Sequence, residues 1–380
     1  MTTTLADEVE ALGGLVAERA AQIEVDRRIS DDVLSAIRAT GLNRAVVPRS
    51  LGGDEVPLLE VVDALERLSA IDGSTGWCAA IGAGTNAFAG YLPPEAAAEV
   101  FADPDQPNAS MFGPFGQVRG PDGGLTLTGR WPFCSNCLHS EWIGLGSFWF
   151  GTEDAPEPIP RLAFVRMEAL TVDPTWDTRG LCGTGSHHTV AEAVPVARER
   201  SITLTDSSWV DSPLGRLPSF CVLAPMLGVT PFGIARGAID TLMATVASGG
   251  GGTARGSLAD DPVGLADLAR AESLLRGALA NLREACAEAW AVAERGDAVS
   301  RPLQARIMLA VNVGAEVAVD VTGTAHRLAG GAAAYAGHPV LRRLRDVETA
   351  RQHVVLSRQH RPALLKILAG HDVAMPPYVV

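Results

Sequence analysis

The chain has 380 residues, 47% of them apolar and 20% charged, the balance of a folded globular protein, which excludes disorder as its main state. Its 44 acidic residues against 31 basic ones give a formal charge of −13, the wrong sign for gripping a phosphate backbone, so no nucleic acid is expected as a partner. Arg, Asp, Gly or Pro interrupts every apolar run before the roughly 18 to 20 residues of a bilayer span, and the acidic stretch Met1 to Glu10 lacks the basic start of a secretory signal, so a cytoplasmic protein without a membrane partner is expected.

In the first hundred residues the apolar positions recur at helical spacing. Leu5, Val9, Leu12, Val16 and Ile23 share one face. Ser30-Asp31-Asp32 opens a second helix, which Gly41 stops, and Pro57 opens a third that buries Leu58, Val61, Val62, Leu65 and Leu68. A Gly- and Ala-rich stretch from Ser74 to about Tyr91 allows close approach to its backbone. Residues 1–108 are therefore expected to form an N-terminal helical domain.

From Ser110 to about Leu204, short apolar runs alternate with Gly, Pro and Asp turns, which predicts about six to eight strands. This middle domain, 109–212, is expected to be a β-barrel or sandwich. The helical period then returns in 219–248, 262–295, 302–329 and 339–369, separated by Ser248–Thr253, Gly296-Asp297 and Gly330-Gly331. Four helices of roughly 25 to 35 residues joined by short loops predict a C-terminal four-helix bundle over 213–380. The expected fold class is thus α+β and multidomain.

Three segments carry candidate chemistry. Gly129 to Trp142 packs two Trp, a Phe, two Ser, an Asn and a His between predicted strands, a mix that suits a flat, partly polar ligand or, more plainly, an aromatic corner of the core. Cys134 and Cys137 form a C-x-x-C pair, but no second pair supplies the other two ligands of a zinc site and no helix follows, so no metal is expected. The six cysteines are too sparse for a disulfide framework and fit a reducing compartment. Gly180 to His188 matches neither a dinucleotide fingerprint nor a P-loop and reads as a tight turn, with Thr184 and Ser186 free to cap a ligand. In Pro339 to His353, His353 sits in a predicted helix among Arg345, Asp346, Glu348 and Arg351, which read as solvated or paired. An imidazole facing a pocket is a natural general base, though a helical His is more often a surface or core residue, and His360 is its competitor.

Taken together the chain resembles the acyl-CoA dehydrogenase fold, and within it the group D flavin-dependent monooxygenases, the oxygenase halves of two-component aromatic hydroxylases and related sulfur and amino-sugar oxygenases. The resemblance rests on Asp26-Arg27-Arg28-Ile29-Ser30, Pro48-Arg-Ser-Leu-Gly-Gly53, Asp72-Gly-Ser-Thr-Gly-Trp77, Gly129-Arg-Trp-Pro-Phe-Cys-Ser135, Leu181-Cys-Gly-Thr-Gly-Ser186 and Leu344-Arg-Asp346 with Gln352-His353. It implies that Phe133 and Ser135 meet a flavin ring, beside a wall from Phe112 through Pro114 to Gly116. Arg255 would reach the flavin phosphate of a neighbouring subunit, and the backbone at Gly330 and Gly331 would approach that cofactor. Trp77, Asn86 and Asn136 fall on the substrate side. Asn136 departs from the Ser-Gly of many of these oxygenases.

The dehydrogenase base falls on Val354, and its alternative position within Leu223 to Gly237 holds no Asp or Glu, whereas His353 matches a histidine of the oxygenases. The resemblance therefore implies reduced FMN or FAD from a separate reductase, since the chain has no nicotinamide fingerprint. Oxygen would be carried as a flavin C4a-hydroperoxide and delivered to a small aromatic, polyketide or amine substrate, in a homotetramer. A flavin desaturase with an atypical base, and a non-catalytic member that serves as a binding subunit, are the alternatives.

Overall fold

The computed structural model describes residues 3–121, 123–150, 158–248, 252–253 and 256–374. The N-terminal part holds six helices: α1 (Leu5–Ala11), α2 (Gly13–Asp26), α3 (Asp31–Ala39), α4 (Leu58–Ile71), α5 (Gly73–Asn86) and α6 (Pro94–Val100). Helix α4 buries Leu58, Val61, Val62, Leu65 and Leu68, the face its sequence spacing predicts. Helix α5 differs in being buried on nearly every side. It starts where the Asp72 carboxylate accepts the Thr75 backbone N–H at 2.8 Å and the Thr75 hydroxyl at 2.7 Å. Its small residues let α4 and the later bundle close around it; a Cβ on Gly76 would lie 2.1 Å from Ser69 Oγ.

The middle part consists of β1 (Ala109–Arg119), β2 (Thr126–Trp131), β3 (Trp142–Trp149), β4 (Ile159–Arg166), β5 (Thr171–Asp173), β6 (His188–Pro195) and β7 (Ser201–Ile202). They form one sheet in the order β5-β6-β2-β1-β3-β4-β7, not the two packed layers of a sandwich. Only β1 and β3 run parallel. Their register jumps: Met111 faces Leu145, and the next pairing is Gly116 with Ser147, so residues 112–115 leave the ladder opposite Gly146. Gly146 makes room for that excursion, since a Cβ there would lie 2.1 Å from the Phe112 carbonyl oxygen.

The C-terminal part comprises α7 (Pro213–Arg216), α8 (Ser219–Gly228), α9 (Thr230–Ala247), α10 (Pro262–Glu294), α11 (Arg301–Leu328), α12 (Pro339–Ala350) and α13 (Arg361–Leu368). Two runs, Ser219–Ala247 and Arg301–Leu328, are after all long and apolar enough to cross a membrane, but 89% and 56% of their most apolar windows are buried within the protein.

The fourth long helix expected over 339–369 does not form as one piece. It stops at Ala350, and His353 takes extended backbone with ψ 138° at the head of a short 3-10 turn. The cause lies on α11, where buried Asn312 donates its amide to the carbonyls of Val355 at 3.2 Å and Ser357 at 2.7 Å. Arg361 in turn donates to the Asn312 side-chain oxygen at 2.7 Å. The break is stable because its freed backbone groups have partners. His360 is consequently a buried residue on a separate turn, not a surface group on the helix of His353.

Candidate active site

A cavity of about 730 Å³ opens where α5, the 112–115 excursion, α8, the 180–186 loop and the turn after α12 converge. The 180–186 loop is held from beneath. Asp346 accepts the Leu181 backbone N–H at 2.6 Å, and a Cβ on Gly180 would lie 2.0 Å from the Arg345 carbonyl oxygen. Asp346 is therefore buried rather than solvated, and burial, reinforced by nearby Asp72, raises its carboxyl to about 7. Arg27 secures the adjoining loop, donating to the Trp176 carbonyl at 2.6 Å and to Asp177 at 2.7 Å.

At the centre of the cavity wall runs a chain of hydroxyls whose direction is forced. The Thr184 hydroxyl donates to the Leu181 carbonyl at 2.8 Å. The 2.7 Å contact between Thr184 and Ser186 must then take its hydrogen from Ser186. By the same count the 2.7 Å contact between Ser186 and Ser135 takes its hydrogen from Ser135. Ser135 also accepts the Trp77 indole N–H at 3.2 Å. Its hydrogen is spent and one lone pair remains, so towards the cavity Ser135 is an acceptor only.

Two residues before it, Phe133 has a positive φ of 60° and is 62% exposed, its ring edge-on to Trp176 and His188 with centroids 6.2 Å from each. An aromatic ring held out on strained backbone suits a flat partner lying against it. Phe112 lines the cavity, whereas Pro114 lies in the excursion without being among the lining residues.

His353 lines the other side, and Trp77 meets it edge to face. Its Nδ1 accepts the Val355 backbone N–H at 3.3 Å, which leaves the proton of the neutral ring on Nε2. Burial brings its pKa down to about 4. In this tautomer Nε2–H is the group left to face the cavity, so the ring is arranged to donate a hydrogen bond there.

Two residues expected on the substrate side do not line the cavity. Asn86 is fully buried behind the wall, where its amide donates to the carbonyls of Asn43 at 3.2 Å, Pro104 at 3.3 Å and Gln106 at 2.9 Å, and its oxygen accepts from Asn108 at 3.0 Å. Asn136, with φ 66°, donates to the Asn108 carbonyl at 3.3 Å and to Ser140 at 3.4 Å, and does not line the cavity. Both asparagines stitch the wall together.

Gly330 and Gly331 lie in a turn outside the cavity, and Arg255 lies outside the described residues. Cys134 and Cys137 are free buried thiols, which burial raises to about 11 and about 12. Among the described residues no group of His, Cys, Asp and Glu is arranged to hold a metal.

Sequence reasoning missed the apolar floor made by Phe220, Leu223 and Leu227, although their spacing along α8 marks a single face. It also missed the Thr85–Ser110 hydroxyl pair at 2.8 Å.

A model of the acyl-CoA dehydrogenase C-terminal domain matches residues 226–358. The indole-3-acetate monooxygenase of Pseudomonas putida is 33% identical over 355 residues, spanning 91% of this chain and 89% of that protein. The oxygenase component of the FADH(2)-dependent resorcinol hydroxylase of Rhizobium sp. strain MTP-10005 is 26% identical, with 93% and 90% covered. XiaF from Streptomyces sp., solved with FADH2 and glycerol, superposes with a TM-score of 0.90 at 25% identity over 98% of this chain and 96% of that one. With a relative this similar along nearly its whole length, the chain belongs to the flavin-dependent monooxygenases built on the acyl-CoA dehydrogenase fold.

Proposed function

We propose that this chain is the oxygenase component of a two-component system, which takes reduced FMN or FAD from a separate reductase and uses O2 to hydroxylate a small aromatic molecule. The observation that carries the reading is the acceptor-only hydroxyl of Ser135 beside the exposed ring of Phe133. A reduced flavin presents an N–H on its central ring where the oxidised flavin has a bare nitrogen, so an acceptor fits the reduced form. Once bound, the reduced flavin supplies the electrons that activate O2.

The chain's own residues do the rest. Phe133 and Phe112 cover the flat ring, and the floor of Phe220, Leu223 and Leu227 excludes water from the reacting region. His353 donates its Nε2 hydrogen to a substrate oxygen and so orients it. Val354, which lines the cavity and is 41% exposed, occupies the place where a dehydrogenase would need a carboxylate, which argues against the desaturase reading.

We also place the chain in the cytoplasm as a homotetramer. Gly330 and Gly331 are not among the residues lining the cavity of their own chain, which fits the reading that they meet the flavin of a neighbouring subunit.

The test supplies the protein with NADH, a flavin reductase, FMN and 18O2 in the presence of phenols and indoles. A product carrying one 18O atom is expected. Anaerobic reduction of bound flavin by the aromatic compound, with no labelled product in air, would reject the reading in favour of a dehydrogenase.

A further inference from the structure

The cavity is electrically one-sided. Among the described residues that line it, Glu348 is the one formally charged group, exposed at its mouth on the last turn of α12. No Arg or Lys is among them; Arg351 approaches Glu348 only at 4.0 Å, from outside the lining. The inner wall is apolar, with Ile81 on α5, Leu223 and Leu227 on α8, and Val355. The other polar groups of the lining are uncharged, among them the Ser135–Ser186–Thr184 hydroxyl chain, the Thr85–Ser110 pair, Gln352 and the neutral ring of His353. The chain as a whole carries −13.

A carboxylate entering such a space would give up its water, find no cation among the described lining residues, and pass a like charge at the entrance. A phenol or an indole gives up far less, and its single O–H or N–H can be met by a hydroxyl or an amide.

We propose that this cavity selects uncharged aromatic molecules and rejects aromatic carboxylates, with Glu348 enforcing the rejection. The inference rests on the oxygenase reading only in taking the cavity as the substrate site. It separates this chain from the relative named for indole-3-acetate, whose substrate is an anion at neutral pH.

The test measures anaerobic equilibrium dialysis of the protein loaded with reduced FMN against 3-methylindole and indole-3-acetate, which share a ring and a point of attachment. The neutral ligand should bind tighter by about 10-fold or more, the scale of leaving one ionised group without its charged partner. Glu348→Lys should shift the ratio of the two affinities by about 10-fold towards indole-3-acetate. Glu348→Gln should give an intermediate value. Equal or tighter binding of the carboxylate to the unaltered protein overturns the proposal, as does failure of the neutral ligand to bind. An unchanged ratio in Glu348→Lys overturns the role of Glu348.

Incorporation of 18O from 18O2 is measured on the same preparation. If labelled product forms but the carboxylate binds as tightly, the selectivity alone falls. If the ligands bind in the expected order and no labelled product forms, the oxygenase reading falls and the selectivity stands.

Discussion

Trp77 and His353 meet edge to face across the cavity, with ring centroids 5.5 Å apart and planes inclined by 71°. The same indole is tied through its N–H to Ser135, so one aromatic residue links the hydroxyl chain on one wall of the cavity to the histidine on the other. The ring it braces has one nitrogen already engaged by a backbone N–H. That tautomer decides how substitutions at His353 should behave.

His353→Ala should lower product formation by roughly 100-fold, because a positioning or proton-handling group at the substrate is lost. Hydrogen peroxide release should rise as oxygen activation proceeds without a correctly held substrate. The informative variant is His353→Gln, whose amide donates but cannot act as a base. Substantial recovery in Gln over Ala is expected if the ring is a donor. Equal loss in the two variants would return the histidine to the role of base.

The forced direction of the hydroxyl chain gives a second test. Ser186→Ala removes the acceptor for the Ser135 hydrogen, so that Ser135 becomes free to donate into the cavity. Oxidised flavin should then gain affinity relative to reduced flavin. The ratio of the two dissociation constants should narrow by about 3- to 10-fold, the worth of one neutral hydrogen bond. Titration of oxidised FMN by fluorescence, and of reduced FMN under anaerobic conditions, measures both. A ratio equal to that of the unaltered protein would mean that Ser135 does not meet the flavin.

Asn86→Ala should damage the fold rather than the chemistry. It strands three backbone carbonyls and the Asn108 amide in a buried place, so a loss of about 2 to 4 kcal/mol is expected in urea unfolding. Affinity of the remaining folded protein for 3-methylindole should be unchanged. A stable variant with weakened ligand binding would restore Asn86 to the substrate side.

The contrast between these residues shows what a linear reading can reach. That Phe133 and Ser135 line a cavity is legible in the segment's mixture of aromatic and hydroxyl residues between two strands. Helix α4 was legible because one face is buried and the other wet, so its period is visible in the sequence. Asn86 was misread because its partners lie 18 to 43 residues away and leave no local trace. The break before His353 was hidden for a similar reason. Within the expected 339–369 helix Pro362 marks the start of α13 but nothing marks the stop at Ala350, and the side chain that stabilises the break, Asn312, comes from α11. Whether Asp346 is solvated or paired is not legible locally, because the backbone it supports, at Leu181, is 165 residues distant.

The buried titratable groups make a final prediction in which opposite signs compete. His139 accepts the Ile29 backbone N–H at 3.2 Å, and burial, aided by Arg28, lowers its pKa to about 4, as burial alone does for His353. Between an ordinary 6.5 and that value the unfolded chain binds protons that the folded chain refuses, so this stability is present above pH 6.5 and is lost as pH falls towards 4. Asp346 runs the other way. Its carboxyl, raised from 3.8 to about 7, keeps a proton in the folded state that the unfolded chain has released, so its contribution is present below 3.8 and is lost as pH rises through 7. The two histidines should therefore dominate a net fall in stability between pH 6.5 and 4, with Asp346 blunting it. His139→Gln, which keeps an acceptor for Ile29, should make the urea midpoint less sensitive to acid. Asp346→Asn, which keeps an acceptor for Leu181, should make it more sensitive. Unfolding curves for the three proteins at pH 7.5, 6 and 5 would show both changes of slope, and parallel curves would mean that neither group is as dehydrated as its surroundings imply.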